Sequence, residues 1–189
     1  MRINLTTFGM LVAAAAIAFT GMDSISAADT DTKEAVSIFG EAELDVPESF
    51  ARVQPKSRII QHEFQAKAGE GDDAKTARVT MMSAGGDVKA NIQRWQGQFA
   101  GGDQDKRKTE EMKVGKWQVY IVDVNGNYAE RMGGPFAGGK VVNHEDYAMA
   151  GAILVHPDGR KFFVKMIGPA NVVTANREAF VSMIKSIDE

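Results

Sequence analysis

Not one of the 189 residues is cysteine. No disulfide can stand in for a core, so whatever this chain folds into is held by burial alone. The start of the chain makes that constraint matter, because it reads as an export signal. Arg2 gives a short basic beginning, and Phe8 to Phe19 is an apolar run. At about a dozen residues the run suits a secretory signal and falls short of the roughly 20 that span a bilayer. Ser26-Ala27-Ala28 then supplies small side chains at both positions a signal peptidase reads. Cleavage is expected after Ala28, since a cut after Ala27 would put bulky Ile25 in the upstream pocket. No basic stop-transfer cluster follows, and without cysteine there is no lipidation site. The expected organisation is a signal peptide over 1–28, a flexible leader over 29–41 and a single domain over 42–189. The mature chain is expected to be exported, periplasmic or secreted, with no membrane span after cleavage. About 160 residues remain, ample for one core and short for two.

The formal charge of −3 is unchanged by removing the signal, which holds one Arg and one Asp. A mildly acidic chain with both signs mixed lacks the net basic face that nucleic acid demands, so no nucleic-acid partner is expected.

Strand signals open the domain. Glu43 to Val46 alternates and meets Pro47; Pro47 to Phe50 reads as a turn or one helical turn. Arg58 to Phe64 is a second strand, Gly69 to Asp73 a hairpin loop, and Ala77 to Met82 a third strand. The clearest helix runs from Asp87 to Phe99. Val88, Ile92, Trp95 and Phe99 recur at i, i+4, i+7 and i+11, within one arc, with Asp87 placed to cap the first free amides. Trp117 to Val124 is again a strand, and Asn125-Gly126 predicts a tight turn. Arg131 to Asp146 reads as a long Gly-rich connection. Tyr147 to Val155 and Lys161 to Ile167 flank His156-Pro157-Asp158-Gly159, a hairpin turn with Pro and Gly where such turns want them. A last helix begins near Asn171 or Thr174 and buries Phe180, Met183, Ile184 and Ile187. Strands joined by short turns, with helices at two separate points, predict an α+β fold: a largely antiparallel sheet of about six strands with helices packed on it.

The catalytic motifs fail one by one. Gly134 to Val141 has the G-x-x-x-x-G-K spacing of a phosphate loop, but Val141 stands where a hydroxyl must reach magnesium, and no amphipathic helix follows. His144-Glu145-Asp146 reads as a solvated turn, since adjacent residues rarely converge on one ion. There is no Gly-x-Ser-x-Gly elbow, and the pairs Glu110-Glu111 and Asp72-Asp73 lie in charged, solvated stretches. No catalytic residue, metal or cofactor is expected. The feature that stands out is a second stripe on the first helix, Asn91, Arg94 and Gln98, beside the apolar one. Its structural explanation is hydrogen bonding to nearby backbone, under which Arg94→Ala would mainly destabilise the fold. Its functional explanation is a recognition patch, joined by Trp117, Tyr128 and Lys140 of the glycine-rich loop.

The chain resembles the PsbP-like α-β-α sandwich, a fold named for an extrinsic subunit of photosystem II, and is similar to uncharacterised exported bacterial proteins of that type. The resemblance rests on Val46 to Phe50, Asn91 to Gln98, Phe162 to Pro169 and the closing helix from Phe180 to Ile187, and it covers roughly residues 42 to 187. It implies a docking or assembly protein without catalytic machinery. The expected function is therefore an exported non-catalytic binding or assembly domain for a protein or small ligand; the alternative is a cell-envelope hydrolase whose site the sequence hides.

Overall fold

The computed structural model describes residues 34–131 and 140–188. The expected signal peptide, 1–28, and most of the phosphate-loop lookalike, Gly134 to Gly139, lie outside the described residues. Ten strands and two helices follow in order: β1 (Ala35–Ile38), β2 (Ala42–Asp45), β3 (Phe50–Val53), β4 (His62–Ala68), β5 (Lys75–Ser83), α1 (Val88–Gln96), β6 (Phe99–Ala100), β7 (Lys108–Val114), β8 (Trp117–Arg131), β9 (Val141–Val155), β10 (Lys161–Pro169) and α2 (Ala170–Lys185). β1 and β2 form a separate hairpin. The other eight strands make one sheet in the order β3-β4-β5-β10-β9-β8-β6, with β7 beside β6 on the edge of β8. Every pairing is antiparallel. The fold is α+β, with eight strands in the sheet rather than about six. Among the described residues no helix is long and apolar enough to cross a membrane.

The extra strands are those whose sequence lacks alternation. β7 is an edge strand, exposed along most of its length, and only Met112 and Val114 turn partly inward. Part of the expected flexible leader, 29–41, is strand instead: β1 covers Ala35–Ile38, and its Val36 and Ile38 are buried in the main core. The strand expected from Arg58 starts instead at His62: Ser57 to Ile60 forms a turn closed by a 3.1 Å backbone bond, which leaves Ile59 exposed.

Asn125-Gly126 does not turn the chain. β8 runs on to Arg131 and pairs with β9 as far as Val141. Gly126 adopts φ +139° at a bulge, and a β-carbon there would lie 2.5 Å from the Ala100 carbonyl oxygen. The glycine serves the close approach of β6. The Gly-rich connection is shorter than Arg131 to Asp146 for the same reason: Val141 to Asp146, with His144-Glu145-Asp146, is strand and not a solvated turn.

α1 begins where its cap predicts, with Asp87 Oδ1 accepting from Ala90 N at 2.9 Å. It ends at Gln96, earlier than Phe99, which is in β6. The His156 to Gly159 turn closes as expected, Gly159 N donating to His156 O at 2.8 Å.

Strand alternation divides the sheet into two faces. On one, Val119 and Ile121 of β8, Phe162 and Val164 of β10, and Val79 of β5 pack with Phe180 and Met183 of α2 and with the β1–β2 hairpin. On the other, Val122, Val124, Met149, Ile153 and Phe163 pack with Trp95 and Phe99. α2 has 16 residues and α1 only 9, so the second face is covered over less of its width.

Candidate functional site

The uncovered part of the second face lies over β4, β5 and the neighbouring part of β10. Sheet register sets one row across it, Glu63–Thr80–Lys165–Gly151. Gly151, at one end of the row, receives α1: a β-carbon there would lie 2.8 Å from Trp95 Cζ3, so the indole rests directly on the backbone. At the other end the row is polar. Glu63, Thr80, Lys165 and Arg78 line a cleft of about 240 Å³, whose opposite wall is Tyr128, Glu130 and Tyr147 on the extended β8–β9 arm.

Glu63 is almost wholly buried. Arg78 holds it through Nε to Oε1 at 2.7 Å and Nη2 to Oε2 at 3.0 Å, and Lys56 N donates to Oε2 at 3.0 Å. These bonds, the Arg78 guanidinium first, hold the carboxyl below its ordinary pKa against the opposing effect of burial. The pairing raises Arg78 in turn.

The arm carries a stack of rings. Phe99 lies 4.9 Å from Tyr128, Tyr128 lies 6.2 Å from Tyr147 with planes 7° apart, and His144 lies 4.6 Å from Tyr147. His144 Nε2 is 2.9 Å from Glu130 Oε2. Burial raises the pKa of the Tyr128 hydroxyl, and the Glu130 charge adds to it.

Lys165 differs from Glu63, Arg78 and Glu130, which are paired, and from Lys56, the other lysine of the cleft, which is exposed. Lys165 Nζ sits 5.5 Å from the centre of the Trp95 ring and makes no hydrogen bond or ion pair among the described residues. Burial pushes its pKa down to about 8, and the positive charges of Arg94 and Arg78 push the same way. A partly buried ammonium facing two cations is costly in the absence of an anion.

The residues singled out in the sequence are only partly brought together. Tyr128 lines the cleft. Arg94 lies close enough for its charge to act on Lys165, yet it is exposed and makes a single side-chain bond, Nη2 to Asn91 Oδ1 at 2.5 Å. Asn91 is buried and structural, with Nδ2 donating to Gly85 O at 3.1 Å and Asp87 O at 2.8 Å. Gln98 is half-buried; its main-chain carbonyl accepts from Ala129 N at 2.9 Å, while its side-chain Oε1 is buried with no hydrogen bond among the described residues. Lys140 is exposed just before β9. Trp117 does not belong to this surface: alternation in β8 puts it on the α2 face, fully buried and stacked 6.1 Å from Phe39. Lys165, Arg78, Glu63, Thr80 and Tyr147 escaped sequence reasoning. The available signal was Phe162-Phe163-Val164-Lys165-Met166-Ile167, where a period of two puts a lysine on the same face as Phe163 and Ile167.

Two other polar clusters are self-contained. A groove of about 340 Å³ beside α2 holds Arg177, but the guanidinium is bound to Asp123 at 2.7 Å and to Glu110 at 3.4 Å. His156 lies between Asp158 at 2.9 Å and Glu41 at 3.1 Å, with Arg160 joined to both carboxylates. This network ties the β1–β2 hairpin to the β9–β10 turn. Among the described residues no group of three or more His, Asp or Glu side chains is placed to hold a metal ion.

No protein-family model matches the chain, and no curated protein matches its sequence. The functional reading rests on the geometry.

Proposed function

We propose that this chain is an exported, non-catalytic binding domain of the PsbP-like α-β-α type, and that it takes a small ligand in the cleft over β4, β5 and β10. The observation that carries the reading is the incomplete cover of the second sheet face, which leaves a walled cleft with a Lys165 ammonium that no group among the described residues neutralises. Helices on both faces of an antiparallel sheet support the sandwich. Export is supported by the basic start and short apolar run of the sequence. A cleft of about 240 Å³ is smaller than the roughly 300–1,000 Å³ of sites for drug-sized molecules, which favours a small ligand.

The binding reading is favoured over the hydrolase by the hydroxyl inventory. Among the described residues no serine or threonine hydroxyl is hydrogen-bonded to a histidine; Ser83 donates to Gln61 and Ser186 to the Met183 carbonyl. The test is equilibrium dialysis of the purified protein against a small-molecule extract of the cell envelope, with the retained compounds identified by mass spectrometry. Thr80→Tyr, which fills the floor of the cleft, is run in parallel. Retention by the wild type alone, with the compound recovered chemically unchanged, is the expected result. Equal retention by both proteins, or none by either, contradicts the cleft; recovery of a hydrolysed product favours the enzyme.

A further inference from the structure

We propose that the ligand is a small molecule bearing an oxyanion, a carboxylate or a phosphate ester, whose negative group sits on Lys165 Nζ between Thr80 and Arg78. This rests on the binding reading above and deepens it.

The cleft's two carboxylates are already engaged. Glu63 has both oxygens bound, by Arg78 and by the Lys56 amide, and Glu130 is paired with His144. Neither is among the groups that influence the Lys165 proton, which are burial, Arg94 and Arg78. Among the described residues Lys165 therefore has no counter-ion, and both charges that act on it have its own sign; Lys56, the cleft's other lysine, is exposed to solvent. Donors also remain unused. Arg78 spends Nε and Nη2 on Glu63, so Nη1 makes no hydrogen bond among the described residues. The hydroxyls of Thr80, Tyr128 and Tyr147, which line the same space, make none either. An ammonium, a guanidinium N–H and three hydroxyls around one small cleft form a donor set for an oxyanion. A neutral sugar would satisfy the hydroxyls and leave the ammonium uncompensated. A cation would add to the repulsion.

Isothermal titration calorimetry of the purified protein at low salt uses four probes: inorganic phosphate, succinate, glucose and putrescine. Phosphate, succinate or both are expected to bind, while glucose and putrescine do not; the acid that binds names the class as phosphate ester or carboxylic acid. Lys165→Gln is expected to weaken that binding about tenfold or more, as for a lost hydrogen bond to a charged group. Lys165→Arg retains most of it, and Lys185→Gln, an exposed charge change on α2, leaves it unaltered. A second readout needs no variant: NMR titration of the Lys165 ε-carbon, where a bound acid raises the midpoint. Binding of glucose or putrescine in preference to both acids, lost in Thr80→Tyr, overturns the oxyanion while sparing the cleft. Acid binding that survives Lys165→Gln, or a Lys165 midpoint indifferent to the acid, overturns it as well. Failure of all four probes at millimolar concentration, with dialysis also retaining nothing, overturns both readings.

Discussion

The two faces of the sheet are built from the same strands and end in opposite states. On the α2 face every central strand contributes apolar side chains, and Phe64, Val79, Phe162, Val164 and Leu154 are fully or almost fully buried. On the α1 face the apolar cover stops with Trp95 on Gly151, and the next strand positions in the same row are Lys165, Thr80 and Glu63. One face holds the protein together. The other is finished over only part of its width, and its remainder is polar, charged and walled. In a chain without disulfides, stability must come from burial, so the complete face has to carry most of it.

That division can be broken or sharpened by substitution. The largest effect belongs to the complete face. Phe180→Ala, on α2, is expected to cost about 3–5 kcal/mol in urea unfolding, as a large aromatic removed from a closed core. A loss no greater than that of a surface change would refute the assignment of the main core.

Lys165→Met comes next and has the opposite sign. The folded protein holds this amine at about 8, below its ordinary value of 10.5. Between those values the unfolded chain binds more protons, so the wild type gains stability as pH rises from about 8 towards 10.5. Below 8 both states are protonated and the full cost of the unpaired charge persists. Lys165→Met is thus expected to be more stable than wild type at pH 7 by on the order of 2 kcal/mol, after allowance for partial exposure. The advantage should shrink by pH 10. A destabilised variant at pH 7 would show that Lys165 has a partner.

Gly151→Ala tests the boundary between the covered and bare parts of the α1 face. The added carbon would meet Trp95 at 2.8 Å, and such overpacking costs about 1–3 kcal/mol. Tryptophan fluorescence should shift as Trp95 is displaced, because Trp117 lies in the other core. An unshifted spectrum and unchanged stability would place α1 elsewhere.

The smallest effect is expected from Arg94→Ala. The sequence predicted a structural role, but the side chain is exposed with one bond to Asn91. The expected change in stability is within about 0.5 kcal/mol. A larger loss on thermal denaturation would restore the structural role.

Much of the scaffold was legible because local signals agreed with the tertiary outcome. The spacing of Val88, Ile92 and Trp95 and the Asp87 cap marked α1, and His156 to Gly159 marked its turn. Where local and tertiary demands parted, reading failed. Asn125-Gly126 has the chemistry of a hairpin, but its glycine is spent on the approach of Ala100. β7 is a strand through pairing with β8 and not through any pattern of its own. The cleft was hidden because its residues come from β4, β5, β8, β9 and β10, and only the register puts Glu63, Thr80 and Lys165 in one row. Tyr128 and Arg94 were found from helix spacing and aromatic content, at the rim of a site whose centre is a lysine inside an apolar strand.

The central claim is that Lys165 has no counter-ion among the described residues of the protein. The most direct measurement is the pH titration of its ε-carbon by NMR, without added acid. The account predicts a midpoint near 8. A midpoint at the ordinary 10.5 or above would mean that the ammonium is solvated or paired, and the cleft would lose the charge on which its proposed ligand depends.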